Sequence, residues 1–455
     1  MIVRKLQVGL NRLETCADTH LNATSGFRLV QLQEQEQCGM SNQCASDASR
    51  TEQNKLFGPL TGIRVLDLTS NFMGPYASLL LGDMGADICK IEAPEGDTTR
   101  NVGPSRNKGM AAIFLHLNRN KRSLVLNLKQ PSGLDALKRM IITADVLLFS
   151  LRPNAMARLG LSYEQVKALN PRIIYCGAFG FGQRGPYAER PAYDNLIQAA
   201  VGVPMVQSRK TDGPPSYVGT AIADRIVGMA TSNAILAALH FRGQTGQGQS
   251  VSVPMFETFA HFVMGDHMYG HTFVPPLGDW GYARMTSPER RPFPTKDSYL
   301  SVEIYTDRHW QRLFEAVGRP DMAQDERYID VHSRAQHMSE LYEFLSHTFK
   351  TRTSAEWVDL LIEADICVMQ MNTPESLLDD EHMKAVNFFE EQDHPSEGRI
   401  RTIGLAHEWS ASPGTLRFPA PRLGEHTIEL LREYGFAQDE VAVVLEAGGA
   451  MAITN

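Results

Sequence analysis

Three glycines, Gly180, Gly182 and Gly185, follow an apolar run at the spacing G-x-G-x-x-G. In a dinucleotide-binding fold this spacing joins a strand to a helix whose first turn holds the pyrophosphate, and an acidic residue about 20 positions later binds the ribose. Here Pro186 and Pro191 would break a helix that begins at the motif, and no strand ending in an acidic residue stands at that distance. We therefore predict that the glycines form turns, and an NAD-dependent oxidoreductase is the disfavoured alternative.

Three further patterns fail as functional motifs. The segment GQTGQGQS at 243–250 carries Gln249 where a phosphate-binding loop carries lysine, and it leads from a helix to a strand, which is the reverse order. His267 and His271 could share a helix face, but no third metal ligand is evident. The chain also has no G-x-S-x-G nucleophile motif. We therefore expect no metal site, no ATP-driven chemistry and no serine nucleophile of that type.

The composition of the 455-residue chain is that of a globular protein, with 43% hydrophobic and 21% charged residues. A formal net charge of −8 argues against nucleic-acid binding and requires a local basic cluster for any polyanionic substrate. No apolar run is long enough to span a bilayer, so no membrane partner is expected. The six cysteines are scattered, which is typical of a protein in a reducing cytosol.

Residues 1–57 differ from the rest because they are rich in Gln and Ser and lack hydrophobic periodicity. We predict that this extension is mostly disordered. Its first residues are amphipathic, as in a mitochondrial presequence, but Glu14 and Asp18 argue against that role. A cytoplasmic location is predicted, with mitochondrial targeting as the minor alternative.

Strands and helices alternate over residues 60–255, which predicts βαβ units and an α/β fold with a parallel sheet. The predicted strands cover 60–70, 87–94, 121–129, 145–151, 172–179 and 249–255. The predicted helices cover 74–86, 132–144, 162–170 and a largely helical stretch over 185–242. Gly243 is the expected residue just past the last of these helices.

Pro, Gly and charged residues concentrate at 272–300 and again near 395–423, which is typical of domain boundaries. The segments 299–305, 309–318 and 354–366 supply the elements of a second α/β unit. The predicted organisation is a large domain beginning at 58–271, a linker at 272–300, a small domain at 301–395, and a return linker with the rest of the large domain at 396–455.

Six segments resemble, in the same order, the family III CoA-transferases, which include formyl-CoA transferase, carnitine CoA-transferases and α-methylacyl-CoA racemase. They are 62–100 (GIRVLDLTSNFMGPYASLLLGDMGADICKIEAPEGDTTR), 120–129, 144–164, 180–202, 221–255 and 421–436. The resemblance implies a Rossmann-like large domain built from both ends of the chain, with a smaller α/β domain inserted between them. It also implies a homodimer of two interlocked, ring-like subunits, and a role for the glycine loop in shaping the acyl-CoA pocket.

By the family match, the segment AIADRIVG places the nucleophile at Asp224. An aspartate with the ordinary pKa near 3.9 is anionic at neutral pH and needs no adjacent base. The resemblance implies transfer of CoA from an acyl-CoA to a free carboxylic acid, through aspartyl mixed-anhydride and aspartyl-CoA thioester intermediates. It implies no permanently bound cofactor. Taken alone, Asp224 beside Arg225 would instead indicate an acidic residue at a helix start.

CoA carries several phosphate charges, so an acidic protein needs fixed cations to bind it. The segment NRNKRSLVLNLK offers Arg119, Lys121, Arg122 and Lys129, although a solvated strand edge would have the same composition. By position in the family pattern, the residues expected to bind CoA or substrate are Phe72, Met73, Leu126, Asn127, Lys129, Arg152, Arg158, Tyr193 and Asp194.

The sequence departs from the formyl-CoA transferase-like members in two places. Ala93 replaces an arginine that contacts adenine there, and a glycine-rich run that covers the active site is missing from 256–300. Arg290 and Arg291 stand in that region and could receive the second carboxylate of a dicarboxylic substrate, or be exposed linker charges. Succinyl-CoA with a small dicarboxylate is the expected substrate pair.

Two other functions stay open. The racemase branch of the family uses a histidine where this chain has Tyr193, and a tyrosine with a pKa near 10 is a poor base at neutral pH. A 2-methylacyl-CoA racemase is therefore disfavoured. A CoA-binding protein without turnover is the non-enzymatic alternative, and the presence of Asp224 argues against it.

Overall fold

The computed structural model describes residues 57–453. The predicted N-terminal extension, with its amphipathic start, lies outside the described residues apart from Phe57. The strands are β1 (Arg64–Leu68), β2 (Asp87–Glu92), β3 (Lys121–Leu126), β4 (Val146–Phe149), β5 (Ile174–Phe179), β6 (Gln249–Pro254), β7 (Phe293–Pro294), β8 (Tyr299–Glu303), β9 (Cys367–Gln370), β10 (Phe389–His394), β11 (Gly398–Ile403) and β12 (Ala450–Met451).

Along the chain, the helices lie between these strands. They are α1 (Met73–Asp83), α2 (Ala112–Leu117), α3 (Pro131–Ile141), α4 (Pro153–Arg158), α5 (Tyr163–Leu169), α6 (Asp194–Ala200), α7 (Val203–Thr211), α8 (Ile222–Thr245), α9 (Met255–His267), α10 (Ala283–Thr286), α11 (Asp307–Ala316), α12 (Val331–Gln336), α13 (Met338–Phe349), α14 (Ser354–Glu363), α15 (Glu381–Ala385), α16 (Thr427–Glu433) and α17 (Gln438–Glu446).

Seven strands form the main sheet, in the order β12-β3-β2-β1-β4-β5-β6. Strands β1 to β6 are parallel, and β12 joins β3 in the antiparallel direction at one edge. The order of the six parallel strands is that of the Rossmann fold. The predicted α/β fold with a parallel sheet is therefore confirmed.

Both faces of this sheet are buried. Leu66 and Leu147 belong to the hydrophobic core on one face, beneath α3, α16 and α17. Val65 and Val146 belong to the core on the other face, beneath α1, α8 and α9. Parallel strands buried on both faces read as nearly continuous apolar runs, which is why the sequence predicts them well.

Helix α8 crosses the second face and is longer than predicted. Gly243 lies inside it, so the predicted end at that residue is wrong. Gly246 takes the left-handed φ of 75° instead, and its N–H donates to the Arg242 carbonyl over 2.8 Å. The helix can continue past Gly243 because glycine tolerates helical angles; it ends at the glycine that adopts a positive φ.

The expectation that no segment is long and apolar enough to span a bilayer also fails for α8. Among the described residues, this one helix has the length and composition required, with a mean hydropathy of 1.3. One side of it packs against α1, β5 and β6. Core helices of soluble proteins pass the same test of length and composition.

Residues 293–370 carry a second sheet of three antiparallel strands, in the order β7-β8-β9. It has a separate hydrophobic core that includes Leu300, Trp310, Phe349 and Trp357. Strands β10 and β11 pair as a hairpin that spans the boundary predicted at residue 395. The predicted domain boundaries remain predictions.

Candidate active site

The carboxyl ends of β1 and β4 mark the point where the strand order reverses, and ligands of open α/β sheets bind at such a point. A cavity of about 710 Å³ opens there, lined by residues that follow β1, β4 and β5 and by the start of α8. We call it the Asp224 cavity. It brings together six of the predicted site residues: Phe72, Met73, Arg152, Tyr193, Asp194 and Asp224.

A second cavity of about 480 Å³ lies beside it, at the carboxyl ends of β2 and β3. Leu126, Asn127 and Lys129 line this adjoining cavity, and so does Ala93, the departure from the family pattern. The two cavities share Leu68, Ser70 and Leu151 in their walls. Of the predicted binding residues, Arg158 lines neither cavity; it is exposed at the end of α4.

Asp224 is the third residue of α8, where helix N–H groups lack intrahelical partners. The residue before the helix, Ala221, has no side chain that could cap them. Asp194 does so from α6: its Oδ1 accepts from the N–H groups of Ala223 at 2.8 Å and Asp224 at 3.1 Å. The Asp194 carboxylate therefore fixes the start of α8 and the position of the Asp224 side chain.

Gln198 holds Asp194 in turn, and the sequence prediction did not include it. Its side chain is fully buried; Nε2 donates to Asp194 Oδ2 over 2.5 Å, and Oε1 accepts from the N–H of Val218 at 3.0 Å. Gln198 stands four residues after Asp194 in α6, so the two side chains share a helix face. That spacing is the signal by which the sequence could have identified it.

The environment of Asp224 changes its chemistry. Burial, with the charge of Asp194 as a second cause, raises the pKa of Asp224 to about 7 against the opposing charge of Arg225. The expectation of an ordinary pKa near 3.9 is therefore wrong. Near neutral pH both the carboxylic acid and the carboxylate are populated, and only the carboxylate is a nucleophile.

The Arg225 guanidinium stacks over the ring of Tyr76, 4.4 Å from its centroid, where α1 and α8 pack together. Gly228, one turn later, makes this close packing possible. A Cβ on Gly228 would lie 2.8 Å from the Met73 carbonyl oxygen. The two helices that carry Met73 and Asp224 are thus held in direct contact.

Most of the basic cluster predicted to bind CoA lies elsewhere. Arg119 pairs with Asp83 at 2.7 Å, Arg122 pairs with Asp87 at 2.8 Å, and Lys121 is fully buried. These residues precede or begin β3, at the end of the sheet opposite the cavities, so the prediction is wrong for all three. Lys129 alone of this cluster follows the carboxyl end of β3 and reaches the adjoining cavity.

Buried ion pairs shape the wall of the adjoining cavity. Lys90 Nζ lies 2.8 Å from Asp97 Oδ2, and Arg100 pairs with Glu92 at 2.6 Å. Burial disfavours the charge of Lys90, but the charges of Asp97, Asp67 and Glu92 together outweigh it and raise the Lys90 pKa. Oδ1 of Asp97 also accepts from the N–H of Asn71 at 3.2 Å, so this network joins the loops after β1 and β2.

The glycines of the G-x-G-x-x-G segment open no helix, as predicted. Gly180 packs so closely on Ala192 that a Cβ would lie 2.4 Å from the alanine Cβ. The N–H of Gly182 donates to Glu257 over 2.9 Å, and the N–H of Gly185 closes a turn on the Gly182 carbonyl at 3.3 Å. The segment is therefore a tight loop against the Asp224 cavity, of which Gly180 forms part of the wall.

Two pairs singled out in the sequence lie away from Asp224. His267 ends α9, whereas His271 lies beyond it and stacks on Trp280 with ring centroids 4.1 Å apart. Arg290 and Arg291 line a different cavity, which shares no residue with the Asp224 cavity. Within one chain, these arginines do not face the predicted nucleophile.

Comparison with known proteins identifies the family. Residues 60–427 match CoA-transferase family III. An acyl-CoA transferase of Fusarium pseudograminearum is 33% identical over 90% of this chain and 91% of its own. A succinate–glutarate CoA-transferase of Agrobacterium fabrum is 33% identical over 82% of this chain and 95% of its own.

A solved structure agrees with these relatives. The crystal structure of the Mycobacterium tuberculosis protein Rv3272 superposes with a TM-score of 0.72 at 29% identity, covering 82% of this chain and 99% of that one. The family match spans most of the chain and both relatives are matched over nearly their whole length. This chain is an enzyme that belongs to CoA-transferase family III.

Proposed function

We propose that the enzyme transfers CoA from an acyl-CoA to a free carboxylic acid with Asp224 as the nucleophile. The carboxylate attacks the thioester carbonyl, which forms an aspartyl mixed anhydride and releases CoA thiolate. The thiolate attacks the aspartyl carbonyl, which frees the donor acid and leaves an aspartyl-CoA thioester. The acceptor carboxylate then attacks the aspartyl thioester, which forms a new anhydride and displaces CoA thiolate. This thiolate attacks the acyl carbonyl of the acceptor, which gives the product acyl-CoA and regenerates the Asp224 carboxylate. Each thioester broken is balanced by one formed.

The placement of Asp224 carries this proposal. Its carboxyl lines a cavity at the switch point of the sheet, on a helix start that Asp194 holds in place. The adjoining cavity, with Lys129 in its wall, can receive the nucleotide part of CoA. Backbone N–H groups of the surrounding loops would stabilise the tetrahedral oxyanions.

We propose succinyl-CoA or another small dicarboxylyl-CoA as the donor. The relative from Agrobacterium fabrum is named for succinate and glutarate, both dicarboxylates. Arg152 and Arg190 line the Asp224 cavity, and a guanidinium there can pair with the distal carboxylate of such an acid. Arg152 also contacts Glu189, whose carbonyl accepts from Nη1 at 2.8 Å.

We further propose that the chain works as a homodimer, as the family resemblance implies. Several large apolar side chains between α9 and α10 are exposed in the single chain, including Val274 at 97% and Leu277 at 74%. Exposed apolar side chains grouped in this way are typical of protein interfaces. A second copy of the chain is the proposed cover.

The transfer reaction can be tested with the Asp224→Asn variant. Mixing the wild type with succinyl-CoA and isotope-labelled glutarate should yield labelled glutaryl-CoA, and mass spectrometry should find CoA on the Asp224 peptide. The variant should lose at least about 10³-fold in kcat, because an amide cannot form the anhydride. Asp359→Asn, an exposed helical aspartate, serves as the matched control and should retain full activity.

Full activity of Asp224→Asn would exclude the proposed mechanism.

A second experiment distinguishes the transferase from the racemase alternative. With a 2-methylacyl-CoA in D₂O, it requires deuterium at the α-carbon without exchange of the acid, whereas the proposed transferase incorporates labelled acid and no α-deuterium.

A further inference from the structure

A third cavity of about 520 Å³ lies between α7, the segment 282–293 and the small sheet. It shares no residue with the Asp224 cavity or the adjoining cavity. Two kinds of side chain dominate its wall. The cations are Lys210, Arg284, Arg290, Arg291 and Arg334, and the aromatic residues are Tyr282, Phe293, Tyr305, Trp310 and Tyr342.

Two of the five cations are neutralised by acids. Arg284 pairs with Glu303 at 2.7 Å, and the buried Arg334 pairs with Asp307. Within residues 57–453, Lys210, Arg290 and Arg291 form no ion pair. Among the described residues, Glu303 is the only acid that lines this cavity, and Glu289 stands beside Arg291 in the wall of a neighbouring cavity. The cavity therefore carries an excess of positive charge in a protein of net charge −8.

Arg290 provides a second observation. Its Nε is buried and has no hydrogen-bond partner among the described residues. A buried donor left without an acceptor destabilises the folded protein, and more so when the donor is charged. An anionic ligand that accepts from this guanidinium would remove the penalty.

The aromatic residues of this cavity indicate which class of anionic ligand fits it. The guanidinium of Arg284 lies 5.6 Å from the ring centroid of Tyr305, and that of Arg334 lies 5.8 Å from the ring centroid of Trp310. Trp310 and Phe293 are packed into the core of the small sheet, whereas Tyr305 is 71% exposed beside Arg284. A cation beside an exposed ring suits a ligand with a planar ring and a phosphate. A small aliphatic dicarboxylate would leave the aromatic surface without a partner.

We propose that this cavity binds a nucleoside phosphate, with Arg290 and Lys210 contacting the phosphate and the exposed ring of Tyr305 contacting the base. The site lies outside the Asp224 cavity and goes beyond the proposed transfer of CoA. Because the wall offers ring faces rather than a fixed set of base-edge donors, binding depends on stacking and charge.

The experiment is a titration of the full-length protein with AMP, in buffer that already contains saturating CoA. Free CoA occupies the acyl-CoA site, so any further binding reports a second site. Tryptophan fluorescence follows occupancy, because Trp310 lines the cavity, and Trp310→Phe identifies its share of the signal. Calorimetry gives the stoichiometry, with one AMP per chain expected in addition to CoA.

The variants Arg290→Met and Lys210→Met should each weaken AMP binding by at least tenfold. Arg432→Met, an exposed arginine on α16, is the matched control and should leave it unchanged. Circular dichroism and residual transferase activity show whether each variant is folded. Unchanged AMP affinity in folded Arg290→Met overturns the proposal. Because CoA itself carries an adenosine phosphate, loss of AMP binding in saturating CoA overturns it when Arg290→Met also leaves the affinity for CoA unchanged. Equal affinity for inorganic phosphate also overturns it, since the rings would then contribute nothing.

Discussion

At the scale of single residues, ionisation of the Asp224 carboxyl should make the rate of CoA transfer depend on pH. Since its pKa is raised to about 7, the nucleophilic carboxylate forms only as the pH rises through that value. We expect kcat/KM for CoA transfer to increase about tenfold per pH unit below pH 6 and to level off above pH 8. Initial rates from pH 5 to 9 measure this rising limb of the pH profile of kcat/KM.

The negative charge of Asp194 is one cause of this shift, after burial. In Asp194→Asn the amide oxygen can still accept from the N–H groups of α8, while the charge is gone. The limb should therefore move to lower pH in this variant. A rate that is flat from pH 5 to 9 in the wild type would show that Asp224 is ionised throughout.

The Asp224 carboxyl should also lower the free energy of unfolding above neutral pH. A pKa that is higher in the folded than in the unfolded chain means that the folded protein retains a proton which the unfolded chain loses. Stability is therefore lost as the pH rises from about 4 to 7. Asp224→Asn removes this effect, so it should be more stable than the wild type at pH 8, by up to about 4 kcal/mol, with the difference vanishing near pH 4.

Urea unfolding at pH 8 and pH 5 measures this difference. Asp359→Asn, on the exposed face of α14, should show no such dependence on pH. A variant at Asp224 that is equally stable or less stable at pH 8 would contradict the raised pKa.

At the scale of helices, two glycines of α8 have opposite roles. Gly228 faces α1, where an added Cβ would lie 2.8 Å from the Met73 carbonyl oxygen. Gly228→Ala must push the two helices apart and should cost about 1–3 kcal/mol of unfolding free energy. Because Met73 and Asp224 line one cavity, transfer activity should fall as well.

Gly243 lies in the same helix with no atom within 4 Å of an added Cβ. Gly243→Ala should stabilise the protein by roughly 0.5–1 kcal/mol, because alanine loses less backbone entropy in a helix, and activity should not change. Thermal and urea unfolding of the two variants test the pair. Equal effects of the two alanines would show that α1 and α8 do not pack as closely as described.

At the scale of the whole molecule, the proposed homodimer predicts a particle of about 100 kDa, twice the chain mass of 50.6 kDa. Sedimentation equilibrium measures this mass. Leu277→Glu places a charge in the exposed apolar segment and should weaken dimerisation by at least about tenfold. Val443→Glu, at an exposed apolar residue of α17, is the control. A wild type that stays monomeric at micromolar concentration would exclude the dimer.

The sequence predicts some elements of this molecule much better than others. Strands β1 to β6 lie within the predicted segments, because strands buried on both faces carry strong apolar runs. Helix α13 was not predicted, although its buried Leu341, Leu345 and Phe349 stand at helical spacing. Strands β9 to β12 carry no strong apolar run and were not predicted either. These elements are partly exposed or paired by contacts distant in sequence, such as Ala450 with Leu126. Local pattern cannot reveal such pairings.

By itself, the sequence determined the parallel sheet, the family and the position of the candidate nucleophile, because each depends on a local or collinear pattern. Only the tertiary structure decided what surrounds that nucleophile. Asp194, which Gln198 holds in place, bonds the backbone of Asp224 from 30 residues earlier in the chain. Burial of Asp224 and the charge of Asp194 together set a pKa that no local pattern contains. The tertiary structure also places Arg119, Lys121 and Arg122 outside the candidate site. They lie at the opposite end of β3, where they contact other residues.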